Sequence, residues 1–297
     1  QDVHCKIEAD LGDLGAQDFE EFLIVIADYA GNETYYYASH EAEFSVSEEI
    51  YVLPVQSEQV QVYPEEYADK VTWTSADPSI ATVDDEGNVT GVKSGFTKVV
   101  ASTAEGPARS CKVLVLFEDV ADFDTYYFEP VYWALENGIT TGASDTEFKP
   151  KSKCTRAQVV TFLYRMAGEP EVTIDNPFTD VTEADYYYNA VLWAYENGIT
   201  TGYASDPGLF KPKAVCTRCQ VVTFMYRMMG EPEVDIENPF TDVKASAYYY
   251  KPVLWAYENG ITTGDAKDPS KFLPKNNCVR RQVVTFLYRL SQLPEEE

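Results

Sequence analysis

One twelve-residue stretch occurs three times in this 297-residue chain, at a constant spacing of 62 residues. The copies read CTRAQVVTFLYR from Cys154, CTRCQVVTFMYR from Cys216 and CVRRQVVTFLYR from Cys278. Near-identical copies at such a period are typical of proteins in which one small unit cannot bury its apolar side chains alone. We therefore expect the three copies to share one hydrophobic core.

Each copy carries the sequence of a helix N-terminus. In the first copy Thr155 is followed three residues later by Gln158, a pairing in which hydroxyl and amide satisfy backbone N–H groups at a helix start. The apolar residues that follow at helical spacing are Val159, Phe162, Leu163 and Met166. Gly168 then predicts the end of the helix. In the third copy Val279 replaces the threonine, so the capping hydroxyl is missing there.

An arginine falls in the first turn of each predicted helix, namely Arg156, Arg218 and Arg280. A cation at this end opposes the helix dipole, so it adds to an anion-binding terminus instead of neutralising it. The lysines that precede these arginines are Lys149, Lys151, Lys153, Lys211, Lys213, Lys271 and Lys275. Any one of them reads as an ordinary solubilising loop residue. The threefold coincidence predicts an anion site.

The formal net charge of the chain is −26. Like charges repel, so this argues against nucleic acid and against an anionic membrane surface as partners. A membrane span needs about 20 apolar residues, and the longest apolar run, at 22–27, is only strand-length. An anionic partner would therefore have to find a local basic site.

Residues 1–43 are the most acidic segment, with eleven acidic residues and one basic residue, Lys6. Two strands are predicted at Phe19–Tyr29 and Thr34–Phe44, around a turn at 30–32. Two strands seldom stand alone, so we expect them to pack on the neighbouring domain or on another copy of the chain.

Residues 44–116 show the alternation and turns of a small all-β sandwich. The predicted strands are Ile50–Pro54, Gln59–Tyr63, Lys70–Trp73, Ile80–Val83, Asn88–Val92, Thr97–Thr103 and Ser110–Leu116. Within 71–102, a Trp that ends a strand, a Ser-x-Asp-Pro-Ser turn and a Gly-x-Val-x-Gly-Val run resemble the bacterial immunoglobulin-like domain of group 2. The resemblance implies an extracellular spacer or adhesion module without an active site, and we interpret Trp73 as a core residue.

The remainder divides into three units, 117–177, 178–239 and 240–297, the last ending in an acidic tail. Each unit opens with Phe-x-Asp-Val and an aromatic triplet, continues into a helix that ends at Glu-Asn-Gly, and then has Ile-Thr-Thr-Gly and Phe-x-Pro before the capped helix. Pro130 and Pro252 are tolerable only in the first turn of the earlier helix. Each unit is therefore predicted as helix, loop, helix.

This pattern, FxDV…WAxENGITTG…FxPxxxxTRxQ…LYR, resembles the S-layer homology (SLH) repeat. The resemblance implies an α-helical pseudo-threefold SLH trimer, located at the bacterial cell wall, that binds secondary cell-wall polysaccharide non-covalently, often through a pyruvylated sugar. The family's Thr-Arg-Ala-Glu run, whose Arg contacts the anionic ligand, is matched by Thr155–Gln158, Thr217–Gln220 and Val279–Gln282. A planar guanidinium that donates two hydrogen bonds suits a carboxylate.

The candidate glycan-binding residues are Arg156, Arg218, Arg280, Thr155, Thr217, Lys153, Asp119, Asp180, Asp242, Gly142, Gly202 and Gly264. For the three aspartates the alternative is that they cap a turn before the first helix. Exposed tyrosines of the runs 126–127, 186–188 and 248–250 could stack on sugars, whereas the tryptophans at 133, 193 and 255 are interpreted as core. The arginines at 165, 227 and 289 fall at helix C-termini and are interpreted as structural.

The cysteines give no redox or metal prediction. Cys154, Cys216 and Cys278 share one repeat position and are expected to be small buried hydrophobes. Cys219 makes a C-x-x-C with Cys216 only because it occupies a variable position of the repeat. Outside the repeats, Cys5 and Cys111 could pair if the compartment is oxidising.

Enzymatic function is the rival class. The chain has two histidines, and no catalytic triad, phosphate loop or zinc spacing is visible, so neither catalytic residues nor a cofactor is predicted. Carboxylates are abundant, but the unassigned segment 1–43 is too small to build a glycosidase cleft.

A further alternative is a self-assembling subunit of an S-layer, sheath or filament. Calcium or salt would favour assembly by screening the acidic segment, and light scattering of the full chain and of 44–297 would detect it.

Overall fold

A computed structural model describes residues 21–27, 33–39, 44–104 and 108–294, with strands and helices numbered here in chain order. Strands β1 (Glu21–Ala27) and β2 (Glu33–Ser39) form an antiparallel pair. The predicted pair of strands in the acidic segment is therefore confirmed. Cys5 and the acidic tail at 295–297 lie outside the described residues, as does the predicted turn at 30–32.

Residues 44–115 form a β-sandwich. Its strands are β3 (Ser45–Val46), β4 (Glu49–Val52), β5 (Ser57–Gln59), β6 (Val62–Tyr63), β7 (Thr72–Ser75), β8 (Ala81–Val83), β9 (Asn88–Gly91), β10 (Gly95–Ser102) and β11 (Arg109–Val115). A four-stranded sheet has the order β4-β11-β10-β7, with β4 parallel to β11, and smaller sheets are β5-β9-β8 and β3-β6. One core holds buried side chains from both of the larger sheets, including Val52, Val113 and Val89.

The sandwich departs from the sequence prediction at 59–70. The single predicted strand 59–63 is wrong, because β5 pairs with β9 whereas β6 pairs with β3, so the chain changes sheets within this stretch. A 3-10 helix at Glu65–Lys70 then delays the next strand to Thr72. Strand alternation alone does not reveal which neighbour a strand pairs with, which is why the pattern read as continuous.

Two residues of the sandwich have predictions of their own. Trp73 is predicted as a core residue, and Cys111 as a partner of Cys5 in an oxidising compartment. Trp73 is half-buried at the edge of the core, and a Cβ on Gly87 would lie 2.9 Å from its indole ring. Gly87 also has a φ of +78°, so its place in the turn requires glycine. Cys111 is fully buried and forms no disulfide with another described cysteine, and its pairing with Cys5, which lies outside the described residues, stays a prediction.

Residues 116–294 contain six helices, two in each repeat, as predicted. Pro130 and Pro252 each occupy the third position of a helix, inside the first turn. The helices are α1 (Phe128–Glu136), α2 (Arg156–Met166), α3 (Tyr188–Glu196), α4 (Arg218–Met228), α5 (Tyr250–Glu258) and α6 (Arg280–Ser291).

Helices pack between repeats. The second helix of each repeat lies against the first helix of the next, giving the pairs α2–α3, α4–α5 and α6–α1. An aromatic pair marks each contact, with ring centroids 5.6 Å apart for Tyr164–Trp193, 5.7 Å for Tyr226–Trp255 and 5.5 Å for Trp133–Tyr288. The third repeat thereby closes a ring onto the first, and the expected shared core exists.

A ring of backbone hydrogen bonds lies where the three repeats meet. The amide of Cys154 donates to the carbonyl of Cys278, that of Cys278 to Cys216, and that of Cys216 to Cys154, each at 2.9 Å. All three side chains are fully buried, which confirms their prediction as small hydrophobes. Burial raises the pKa of Cys154 and Cys278 to about 12, so these thiols are uncharged at neutral pH.

Candidate functional site

The three first-turn arginines each reach out of their own repeat into the following one. Arg156 Nε donates to the Phe210 carbonyl at 2.9 Å, and Arg218 Nε donates to the Phe272 carbonyl at the same distance. Arg280 Nε returns to repeat 1 and donates to the carbonyl of Phe148 at 2.8 Å. The arginines are 3%, 7% and 4% exposed, respectively. They therefore join the repeats as well as forming a candidate site.

None of these guanidiniums forms an ion pair with a carboxylate in the described part of the chain. Each lies instead over phenylalanine rings, such as Arg156 at 4.7 Å from the centroid of Phe210. Burial lowers the pKa of all three arginines. A buried charge without a counter-ion is costly, so each position favours an incoming anion.

The remaining guanidinium nitrogens are only partly satisfied. Arg156 Nη2 donates to the Gly202 carbonyl at 3.3 Å, and Arg218 Nη2 donates to the Gly264 carbonyl at 3.4 Å. Arg280 Nη2 is buried and has no hydrogen-bond partner. Because a guanidinium carries five N–H donors, each arginine keeps donors for a ligand.

The first groove, here called the Arg156 groove, has a volume of about 660 Å³. All three repeats contribute to it, because Arg156 comes from repeat 1, the loop at Gly202 and Tyr203 from repeat 2, and Tyr248 from repeat 3. One face of α4 completes the wall with Gln220, Thr223, Phe224 and Arg227. A smaller cleft of about 280 Å³ adjoins it and shares Thr223, Arg227 and Tyr248.

The second, the Arg218 groove, has a volume of about 380 Å³ and is built in the same way. Arg218 comes from repeat 2, the loop at Gly264 and Asp265 from repeat 3, and Tyr126 from repeat 1. The wall from α6 is formed by Arg281, Gln282, Thr285, Phe286 and Arg289.

Arg280 makes contacts with repeat 1 that are equivalent to those of Arg156 and Arg218 with the following repeats. Its guanidinium carbon lies 4.7 Å from the ring centroid of Phe148 and 5.5 Å from that of Phe162 on α2. Burial lowers the pKa of Arg280, and its acidic neighbours Cys154, Tyr186 and Asp119 partly offset that effect. Tyr186 thus takes the place that Tyr248 and Tyr126 have in the two grooves.

The aspartates of the Phe-x-Asp-Val motifs form hydrogen bonds with the loop whose carbonyl groups accept hydrogen bonds from each arginine. Asp180 accepts hydrogen bonds from the backbone amides of Phe210 and Lys211, each at 2.8 Å. Lys211 has a φ of +56°, a left-handed conformation that such bonds help to hold. The corresponding contacts are Asp119 with Phe148 and Lys149, and Asp242 with Phe272 and Leu273.

This arrangement corrects the alternative interpretation of the aspartates. They do not cap a turn before the first helix, because their partners lie 29 to 31 residues later in the chain. Both carboxylate oxygens of each aspartate already accept a backbone hydrogen bond. Contact with sugar hydroxyls would use their remaining lone pairs.

The glycines of the Ile-Thr-Thr-Gly segments have φ values of +91°, +90° and +87° for Gly142, Gly202 and Gly264. A Cβ at Gly202 would also lie 2.6 Å from the carbonyl oxygen of Pro207. Only glycine fits this turn without strain, and the turn directs the Gly202 carbonyl towards Arg156.

The helix N-termini are closed, which corrects the expectation of free amide donors there. The amides of Arg156 and Ala157 donate to the carbonyls of Ala214 and Pro212 in the next repeat. The Gln158 amide donates to Thr155 Oγ1 at 3.3 Å, and Gln158 Oε1 accepts from the Thr155 amide at 3.0 Å. The predicted capping box is confirmed, and the amides of Arg156, Ala157 and Gln158 are already used within the protein.

The third helix start lacks only the hydroxyl. Gln282 Oε1 still accepts from the Val279 amide at 3.2 Å, and the Arg280 amide donates to the Ser152 carbonyl at 2.9 Å. Loss of the threonine therefore leaves the helix start closed by the same partners.

The predicted lysines lie mainly outside the two grooves. Lys149 pairs with Glu147 at 3.3 Å, and Lys271 pairs with Asp268 at 3.2 Å. Lys153 is exposed, and neither it nor Thr155 or Thr217 lines the Arg156 or Arg218 groove. Lys211 is the exception, since its Nζ lies 3.8 Å from the centroid of Tyr203 in the Arg156 groove.

Several groove residues were not singled out from the sequence. Tyr203 follows the glycine of the loop, where the other repeats have Ala143 and Asp265, and only its position next to a repeated motif could have pointed to it. Arg227 donates Nη1 to the Ile199 carbonyl at 3.3 Å, in line with its structural interpretation, but it also lines the groove. Its spacing from Gln220 on α4, seven residues, places both on one helix face.

Exposure separates the tyrosines from the tryptophans. Tyr126, Tyr186 and Tyr248 are 58%, 69% and 64% exposed, whereas Trp193 and Trp255 are buried and Trp133 is half-buried. In the described residues, no cluster of three or more His, Cys, Asp or Glu side chains could hold a metal ion. No helix there is long and apolar enough to cross a membrane.

Two family models match the chain. The bacterial Ig-like domain (group 2) matches residues 43–113. The S-layer homology domain matches three times, at 116–160, 177–221 and 239–283. Each of these three matches includes the aspartate and the first-turn arginine of its repeat.

Similar proteins include exoglucanase XynX of Acetivibrio thermocellus, which is 26% identical over 226 residues, or 74% of this chain and 19% of XynX. The surface-layer 125 kDa protein of Lysinibacillus sphaericus is 26% identical over 63% of this chain and 15% of that protein. The chain spans less than a fifth of the length of these relatives. A crystal structure of domains 4 and 5 of the S-layer protein SbsC covers 30% of this chain and 61% of that one, at 20% identity and a TM-score of 0.22.

Proposed function

This chain belongs to the cell-surface proteins that carry S-layer homology domains, and we propose that its grooves bind an acidic, pyruvylated secondary polysaccharide of the bacterial cell wall. Binding would be non-covalent and would anchor the Ig-like domain to the cell wall. Its domain content, one Ig-like domain and three S-layer homology domains, is of a non-catalytic anchoring type.

The observation that carries the proposal is the buried, unpaired guanidinium in each repeat interface. Water is largely excluded there, so a carboxylate that reaches Arg156 gains a charged hydrogen bond at low local dielectric. A pyruvyl ketal carries such a carboxylate on a sugar ring. A bound neutral sugar would leave the charge of the guanidinium uncompensated.

The shape and lining of the Arg156 groove support a sugar ligand. Its volume of about 660 Å³ falls within the range of roughly 300–1,000 Å³ that is usual for small-ligand sites. Tyr203 and Tyr248 offer aromatic faces, while the exposed Thr201 offers a hydroxyl group. The adjoining cleft would allow a polymer to continue beyond one sugar.

Self-assembly into a lattice is the second candidate function. Strands β1 and β2 pair only with each other in the described residues, and a strand from another copy of the chain would enlarge this two-stranded sheet. The light-scattering comparison of the full chain with 44–297 separates assembly from anchoring.

Sedimentation with purified peptidoglycan sacculi tests the anchoring proposal. We expect the protein to sediment with sacculi that retain their acidic secondary polymer and to stay in the supernatant when that polymer has been stripped. Equal sedimentation with both preparations would show that the polymer is not the ligand.

A further inference from the structure

The Arg218 groove differs from the other interfaces in one arginine. Arg281 stands at the repeat position that holds Ala157 in repeat 1 and Cys219 in repeat 2, and it lines this groove. Its Nε donates to the hydroxyl of Tyr126 at 3.1 Å, and its guanidinium lies 5.5 Å from the ring centroid of Tyr127. Both tyrosines come from repeat 1, so the side chain is held across the repeat boundary.

A second difference concerns the arginine at the end of the helix. Arg165 and Arg227 form ion pairs with the glutamate four residues later, at 3.7 Å and 3.8 Å. Repeat 3 has Leu293 at that position, and Arg289 makes no carboxylate ion pair in the described residues. The Arg218 groove is therefore lined by three guanidiniums that lack such partners.

Among the described residues that line this groove, Asp265 is the one carboxylate. Its Oδ2 accepts hydrogen bonds from the amides of Lys267 and Asp268, at 3.1 Å and 3.2 Å, so it is tied to its own loop. Burial lowers the pKa of Arg218, and Asp265 is among the groups that partly offset this effect. Three guanidiniums and one carboxylate give the described lining of this groove a net charge of +2.

We propose that the Arg218 groove binds a segment of the acidic polymer that carries a second anionic group, and that Arg281 binds this second group. The inference rests on the proposed function, because it takes the first anionic group to lie at Arg218. Tyr126 fixes one donor of Arg281 and leaves its Nη groups for the ligand. The segment would be an acidic sugar with a further carboxylate or phosphate, and its hydroxyls could donate to Asp265.

Titration calorimetry of the full chain with two probes tests the inference. Glucuronic acid carries one negative charge, and glucuronic acid 1-phosphate carries a carboxylate and a phosphate. Removal of a hydrogen bond to a charged group usually weakens binding about tenfold or more. Arg281→Ala should therefore weaken the tightest site for the phosphorylated probe about tenfold, and should change binding of glucuronic acid less than about twofold.

Three variants control the experiment. Cys219→Ala changes the equivalent position of the Arg156 groove and should leave both titrations unchanged. Arg281→Lys keeps the charge, so it should retain preference for the phosphorylated probe, and it replaces Arg281→Ala if that variant fails to melt like the parent. Ala157→Arg, which places the same side chain opposite Tyr186, should add a second tight site for the phosphorylated probe.

Two results would overturn the inference. One is a parent protein that binds both probes equally, and the other is an Arg281→Ala variant that loses both probes equally or neither. If either occurs while the parent still sediments with polymer-bearing sacculi, only the role of Arg281 fails. Absence of that sedimentation would instead remove the proposed function itself.

Discussion

A chain that ends after Asn277 should lose the cooperative unfolding of the whole three-repeat unit, although only α6 is removed. Helix α6 packs on α1 of the first repeat, and its buried apolar side chains are Val283, Val284, Phe286, Leu287 and Leu290. At about 1.5–3 kcal/mol for each buried side chain, these contribute roughly 8–15 kcal/mol. That is comparable with the entire stability of a typical domain, about 5–15 kcal/mol.

The truncation would also remove other contacts that the third repeat makes with the first. The amide of Cys154 would lose the carbonyl of Cys278, and the carbonyl of Phe148 would lose Arg280. Urea unfolding followed by fluorescence of the repeat tryptophans would measure the effect. A chain ended after Leu293, which keeps α6 complete, is the control and should unfold like the parent.

A truncated chain that still unfolded in one transition near the parent's midpoint would contradict this account. It would mean that each repeat, or each pair of repeats, buries enough surface by itself. The packing of second helices on first helices of the next repeat would then be a detail instead of the basis of stability.

Replacement of both Arg156 and Arg218 by alanine should abolish most binding to polymer-bearing sacculi. A hydrogen bond to a charged group is worth about 1.5–3 kcal/mol, so a polymer that engages both grooves at once would lose roughly 3–6 kcal/mol. This corresponds to a decrease in affinity of about a hundredfold to ten-thousandfold. A sedimentation isotherm against sacculi measures it.

The controls address folding, because both arginines also join repeats. Arg109→Ala removes a guanidinium that likewise donates Nε to a backbone carbonyl, that of Phe44, but in the Ig-like domain, and it should bind normally. Arg156→Lys retains the charge without the planar fork, so its affinity should fall between those of the parent and the alanine variant. Full affinity in a double variant with an unchanged melting curve would exclude these arginines as the ligand contacts.

The sequence was sufficient to predict the elements of the repeats. Thr155 with Gln158 marks the start of α2, Pro130 restricts the start of α1, and the spacing of Val159 and Leu163 marks a buried face. These signals are local, because capping, proline geometry and helical periodicity each involve residues within about one or two helical turns.

The contacts that make the site are not local, which is why they could not be predicted. Arg156 bonds to Phe210, 54 residues away, and Arg280 bonds to Phe148, 132 residues away. A repeat indicates that equivalent contacts exist but not which repeat supplies the partner. For the same reason the carbonyl of Ala214, which closes the start of α2, was missed, and free amide donors were expected there instead.

The most direct test of the account is a crystal structure of the protein with a pyruvylated fragment of the wall polysaccharide bound. We expect the pyruvyl carboxylate at a hydrogen-bond distance of about 2.7–2.9 Å from a guanidinium nitrogen of Arg156, with the sugar between Tyr203 and Tyr248. A fragment bound with its carboxylate in solvent, or at a surface remote from all three first-turn arginines, would contradict the central claim.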